Sequence, residues 1–226
     1  MEKKYIEREV FCGGLKLREA SDGGDSRVIT GRAILFGRES APLWEDTEEV
    51  AVEVISPDAL SREFLDGCDI KMTMFHDRQL LLARSNRGEG TLKYTVGSDG
   101  VDFEFDAPHT ADGDKALELV KRGDLAGCSF AFRTNYWDEA FVSREVQKLE
   151  NGKTKVIYTV RQITDVRDFT LAADPAYPDT ECSVREVHDQ MVVERMKKEK
   201  ENREREKREK ALRKREAVRS LRKKAE

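Results

Sequence analysis

Leu92-Lys93-Tyr94-Thr95-Val96 and Val101-Asp102-Phe103-Glu104-Phe105 flank the tetrapeptide Gly97-Ser98-Asp99-Gly100. Both flanks alternate apolar or aromatic residues with polar ones, the period of a strand that buries one face. The four residues between them tolerate the positive φ that a tight reversal needs. The stretch predicts a β-hairpin, and the same pattern recurs outward from it. Val28 to Phe36, Val50 to Ile55, Ile70 to Phe75, Ser129 to Phe132 and Lys155 to Arg161 are rich in β-branched and aromatic residues, and Glu150-Asn151-Gly152-Lys153 is a second reversal signal. Two helices interrupt the strands. Ser56-Pro57 offers a cap and an N1 proline before 58–65, with Gly67 as a stop. The span 112–122 places Ala116, Leu119 and Val120 on one face and ends at Gly123. Many strands and two helices that do not alternate with them exclude a parallel βαβ fold. The expected class is α+β, mainly β: a barrel-like or curled antiparallel sheet with a few helices.

The character of the chain changes near residue 187, which divides it into a domain at 1–186 and a tail at 187–226. Charged residues make up 38% of the chain, against about 25% in an average soluble protein, and the excess is concentrated in the tail. Asp189 to Glu226 holds 16 Lys and Arg against 9 Asp and Glu, net +7, leaving 25 against 36, net −11, in the residues before it. An acidic body without a basic face argues against nucleic acid as a partner. In the tail, Glu199 with Arg203, Glu201 with Arg205, Glu204 with Arg208, Glu206 with Lys210 and Glu209 with Arg213 stand at i,i+4. Each such pair supports an isolated helix by about 0.2–0.5 kcal/mol, so the tail is expected to be a solvated helix or disordered. It reads either as a solubilising charged face or as a detachable docking segment open to self-cleavage.

Cys12, Cys68, Cys128 and Cys182 are more than 50 residues apart and form no CxxC pair, so neither a zinc site nor a secreted disulfide framework is expected. No apolar run approaches the about 20 residues of a membrane span, and neither membrane nor cofactor is expected. Three histidines, His76, His109 and His188, are the candidates for a base near neutral pH. His76 ends the apolar run Met72-Thr73-Met74-Phe75, where a sheet presents it at a rim. Ser129, in Gly127-Cys128-Ser129-Phe130-Ala131-Phe132, is a candidate nucleophile at a strand start, and Cys128 is its rival. The spelling around Ser129 approaches the nucleophile elbow of α/β-hydrolases, but that elbow needs a strand before the serine and a helix after it, the reverse of the order expected here.

Three segments together resemble the prohead protease family of tailed phages, Hong Kong ninety-seven type. They are the run ending in His76, the stretch from Lys121 to Phe132, and Val166 to Thr180, which contains the Pro-Ala-Tyr element at Pro175-Ala176-Tyr177. Gly31 to Gly37 fits the family's opening strand. The resemblance implies a barrel-like fold distantly similar to herpesvirus assembly proteases. It implies a serine endopeptidase with His76 as base, Ser129 as nucleophile and Asp168 as the acidic third member, Asp165 being the alternative. Backbone N–H groups of Phe130 and Ala131 are the expected oxyanion donors. The implied partners are the major capsid protein and its scaffolding segment, cut inside the prohead in the host cytoplasm before the enzyme cuts itself. Related viral proteases pair into dimers, which makes a homodimer one state to test. The alternative function is a catalytically inactive scaffold or shell-docking protein.

Overall fold

The computed structural model describes residues 6–13, 15–18 and 26–173, together with the single positions Lys197 and Arg205. The expected tail helix, the Pro-Ala-Tyr element, Cys182 and His188 lie outside the described residues. In chain order the strands are β1 (Ile6–Gly13), β2 (Lys16–Leu17), β3 (Val28–Leu35), β4 (Trp44–Glu45), β5 (Glu49–Ile55), β6 (Asp69–Met74), β7 (Asp77–Asn86), β8 (Glu89–Gly90), β9 (Lys93–Val96), β10 (Gly100–Asp106), β11 (Gly127–Thr134), β12 (Val142–Lys148), β13 (Thr154–Val160) and β14 (Asp165–Ala172). The helices are α1 (Arg62–Gly67) and α2 (Ala111–Arg122).

The hairpin at 92–105 forms as its alternation requires: β9 pairs antiparallel with β10, and Tyr94, Val101, Phe103 and Phe105 are buried. Gly100 is dictated by space as well as by its φ of 154°, because a Cβ there would lie 2.0 Å from the Ile34 carbonyl oxygen. Helix α2 follows its signals closely. Thr110 accepts the Gly113 N–H, Asp112 and Asp114 occupy the first turn, Lys121 and Arg122 the last, and Gly123 ends it in the left-handed region. The helix expected over 58–65 is divided instead. Pro57–Ala59 forms a 3-10 turn capped by Ser56, Leu60 is extended, and α1 begins afresh where the Ser61 hydroxyl accepts the Phe64 N–H. A serine hydroxyl that satisfies a free N–H competes with continuing the helix through it.

Among the described residues three sheets result: a six-stranded one in the order β1-β11-β14-β6-β7-β8, and two four-stranded ones, β2-β3-β10-β9 and β12-β13-β5-β4. Each ends in edge strands, so the expected barrel is not closed. Two of the three sheets are also mixed, not purely antiparallel, since β13 runs parallel to β5 and β14 parallel to β6, while β2-β3-β10-β9 is antiparallel throughout. The cause is non-local. The leg from β5 through α1 to β6 is laid beside the leg from β13 through 161–164 to β14, segments about a hundred residues apart that no local pattern links. The central strands β11, β14 and β6 are covered on both faces. Phe130, Phe132, Phe169, Ile70, Met72, Met74 and Leu171 are fully buried, which accounts for their nearly continuous apolar spelling. Four buried polar residues of this sheet, Thr73, Ser129, Asp168 and Thr170, lie on the three central strands within that apolar frame, beside Thr134 at the end of β11 and Ser85 on β7.

Candidate active site

Adjacent registers line up Ser129 of β11, Thr170 of β14 and Thr73 of β6 across the middle of the large sheet. Strand alternation sends Cys128 and Phe130 to the opposite face, where Phe130 stacks on Phe132 with ring centroids 5.1 Å apart. Between Ala131 and Phe132 the β11–β14 ladder slips by one residue, leaving Arg167 as the extra residue of a bulge in β14. The bulge keeps Val166 on the apolar side with Phe132, while Asp168, two residues from Thr170, faces the same side as Ser129. Asp165 pairs opposite Arg133, beyond the bulge and farther along the strand from Ser129.

His76 reaches this row from a tight reversal. Met74 pairs with Asp77, and the two residues between them, Phe75 and His76, have φ of 58° and 54°. Two successive left-handed residues are the conformation of a type I′ hairpin turn, which ordinarily selects Asn-Gly or a similar pair. The Phe75 N–H donates to the Leu171 carbonyl at 3.1 Å and the His76 N–H to Thr170 Oγ1 at 2.9 Å. The ring then lies between its two partners: His76 Nδ1 is 2.7 Å from Asp168 Oδ1 and Nε2 is 3.0 Å from Ser129 Oγ. With the carboxylate ionised, Nδ1–H donates to Asp168 and Nε2 is left to accept from the serine hydroxyl. The side chains of His76 and Asp168 are 12% and 6% exposed and Ser129 is 7% exposed, so all three are largely shielded from solvent, His76 the least.

The other candidates fall elsewhere. His109 is exposed in the loop before the Thr110 cap. Cys128 is fully buried and its thiol donates to the Ser129 carbonyl at 3.3 Å. Phe130 and Ala131 lie inside β11, in register with β1 on one side and β14 on the other, so their N–H groups lie in the plane of the sheet. Thr170 and the left-handed turn were not singled out in the sequence. The available signal was a threonine at the centre of the apolar run Met72-Thr73-Met74, a polar group that needs a buried partner. That partner is Thr170, with the two hydroxyl oxygens 2.9 Å apart. Among the described residues no group of three or more His, Cys, Asp or Glu is placed to hold a metal ion, and no helix is long and apolar enough to cross a membrane.

A hydroxyl, an imidazole and a carboxylate joined in series form the arrangement with which serine hydrolases activate a nucleophile. Residues 15–199 match the family described as caudovirus prohead serine protease, and the chain belongs to that family. No curated protein matches it. Among solved structures it is similar to the capsid assembly protease gp21 of bacteriophage T4, at 8% identity and a TM-score of 0.38, over 73% of this chain and 97% of that one.

Proposed function

We propose that the protein is the endopeptidase of capsid maturation in a tailed phage, acting inside the prohead in the host cell, with Ser129 as nucleophile, His76 as base and Asp168 as the group that orients it. The observation that carries this reading is the continuous series from Asp168 Oδ1 to His76 Nδ1 at 2.7 Å and from His76 Nε2 to Ser129 Oγ at 3.0 Å. Ser129 Oγ attacks the scissile carbonyl as its proton passes to Nε2. Collapse of the tetrahedral adduct breaks the C–N bond, and the leaving amine takes that proton from Nε2. Water, deprotonated by the same nitrogen, then hydrolyses the acyl ester. The buried Asp168 carboxylate stabilises the imidazolium that forms between these transfers. Successive N–H groups of a strand point to opposite neighbours, so at the bulge in the β14 ladder β11 can offer the oxyanion one of the Phe130 and Ala131 N–H groups, not both. The substrate we assign is the scaffolding segment of the major capsid protein, followed by the enzyme's own basic tail. A homodimer is compatible with this reading and is not required by it.

Co-expression with the capsid protein tests the proposal through the masses of both chains. Wild type and Cys128→Ala should shorten the capsid protein and shed the tail, while Ser129→Ala and His76→Ala leave both at full length. Cleavage that survives Ser129→Ala overturns the assignment, and four uncut samples favour the inactive shell-docking alternative.

A further inference from the structure

The turn that presents His76 is held against its own conformational preference. A left-handed L-residue costs roughly 1–2 kcal/mol, and Phe75 and His76 both adopt that state without the glycine or asparagine that tolerates it. Such outliers persist where surrounding structure over-determines them. Two bonds from β14 do so here, one from the Leu171 carbonyl and one from the Thr170 hydroxyl. The first continues the β6–β14 ladder and is available to any residue at position 171. The second depends on a side chain. Thr170 is fully buried, and its Oγ1 receives both the His76 N–H and the Thr73 hydroxyl, each at 2.9 Å. Thr170 is also the register partner of Ser129 and stands two residues from Asp168. One strand therefore grips the histidine twice, by its ring through Asp168 and by its backbone through Thr170.

We propose that Thr170 is a positioning residue for the His76 base, its hydroxyl fixing the left-handed turn so that Nε2 meets Ser129 Oγ. The proposal rests on the reading of His76, Ser129 and Asp168 as the catalytic series. Thr73 supports it by donating to the same oxygen and so fixing the direction in which Thr170 accepts. Valine at 170 keeps the shape and removes the acceptor of the part-buried His76 N–H. The chemistry should suffer through geometry, because small displacements of a catalytic group are costly.

The test uses the full-length protein and a fluorophosphonate probe, which forms an Oγ–P bond and expels fluoride as the serine proton passes to the base. Labelling requires the activated serine but no peptide subsites. Thr170→Val should label about 10- to 100-fold more slowly than wild type, well below its melting temperature, whereas Thr170→Ser should label within about threefold. In a Phe75→Gly background, where the left-handed state is free of side-chain cost, Thr170→Val should lose at least about threefold less. Wild-type labelling by Thr170→Val, or an equal loss in both backgrounds, overturns the proposal. If Thr170→Val does not fold, Thr170→Ala against Thr170→Ser makes the same comparison, and equal rates overturn it. Ser129→Ala and His76→Ala separate the two levels of the argument. Labelling that persists in Ser129→Ala refutes the catalytic series itself, while silence in both with normal Thr170→Val labelling refutes only the role of Thr170.

Discussion

Replacing Asp168 with asparagine changes one atom of a buried contact and should remove most of the activity. The carboxylate lies 2.7 Å from His76 Nδ1 in a pair whose side chains are 6% and 12% exposed, so solvent does little to replace the lost charge. Breaking a buried charged pair by altering one partner costs about 3–5 kcal/mol, and that full cost falls on the step in which His76 becomes a cation. At about 1.4 kcal/mol per tenfold in rate, kcat should drop by about 10²- to 10⁴-fold with KM nearly unchanged. The amide adds a second penalty. Its NH₂ can donate to Nδ1, which places the imidazole proton on Nε2, where it blocks acceptance from Ser129. Steady-state hydrolysis of a peptide copied from the wild-type cleavage site gives both parameters. Asp165→Asn serves as the control. Asp165 is opposite Arg133, beyond the bulge, and its loss should change kcat less than about threefold. If Asp168→Asn keeps more than about a tenth of wild-type kcat, or Asp165→Asn falls equally far, the orienting role assigned to Asp168 is wrong.

Phe130 is fully buried and stacked on Phe132 beneath Ser129; Phe130→Ala should cost about 3–5 kcal/mol in urea unfolding, and a loss below about 1 kcal/mol would mean that the sheet repacks there. Gly123→Ala should cost roughly 1–2 kcal/mol, because φ is 79° and a Cβ would meet nothing within 4 Å; thermal melting at the same stability as wild type would contradict the left-handed cap. The Asp69 carboxyl is held down to about 2 by hydrogen bonds from Arg84 and then Lys71. Its folded pKa lies below the unfolded value of about 3.9, so its stabilising contribution is present above that pH and is lost as pH falls toward 2. Asp69→Asn should accordingly show a shallower loss of stability between about pH 4 and 2 in acid titration followed by circular dichroism, and an unchanged slope would refute it.

Local signals in this sequence predict local structure well. The Gly97–Gly100 reversal and the Gly123 stop each act through neighbouring residues, and each forms its expected element. The strand β7 was missed because its hairpin with β6 turns on Phe75-His76, a pair with none of the usual turn chemistry. The parallel pairs were missed because β5 with β13 and β6 with β14 are joined by tertiary packing alone. His76, Ser129 and Asp168 stood out by residue type and by family resemblance. Spacing did not settle Asp168 against Asp165: the extra residue at Arg167 brings Asp165, which regular alternation would put on the other face, to the Ser129 side, and what separates the two is that Asp165 lies opposite Arg133, farther along the strand.

Sequence rules fail most clearly at the residues that hold His76. A hairpin free to optimise its own stability would place Asn-Gly at 75–76, but glycine carries no imidazole, and a histidine delivered from an extended strand would lie in the row of its neighbours. The left-handed pair instead folds the chain back, so that the ring comes over the row formed by Ser129 and Thr170 and reaches Asp168, two residues back along β14 from Thr170. The strain is then offset by two bonds from β14, the strand that also supplies the carboxylate. Because β14 lies between β11 and β6, it pairs with both the strand of Ser129 and the strand that leads into His76. Its parallel pairing with β6 lets the Leu171 carbonyl extend the ladder into the turn while Thr170 and Asp168 face the histidine. The non-local pairing that no sequence pattern announced is therefore what makes a locally unfavourable turn sustainable at this position.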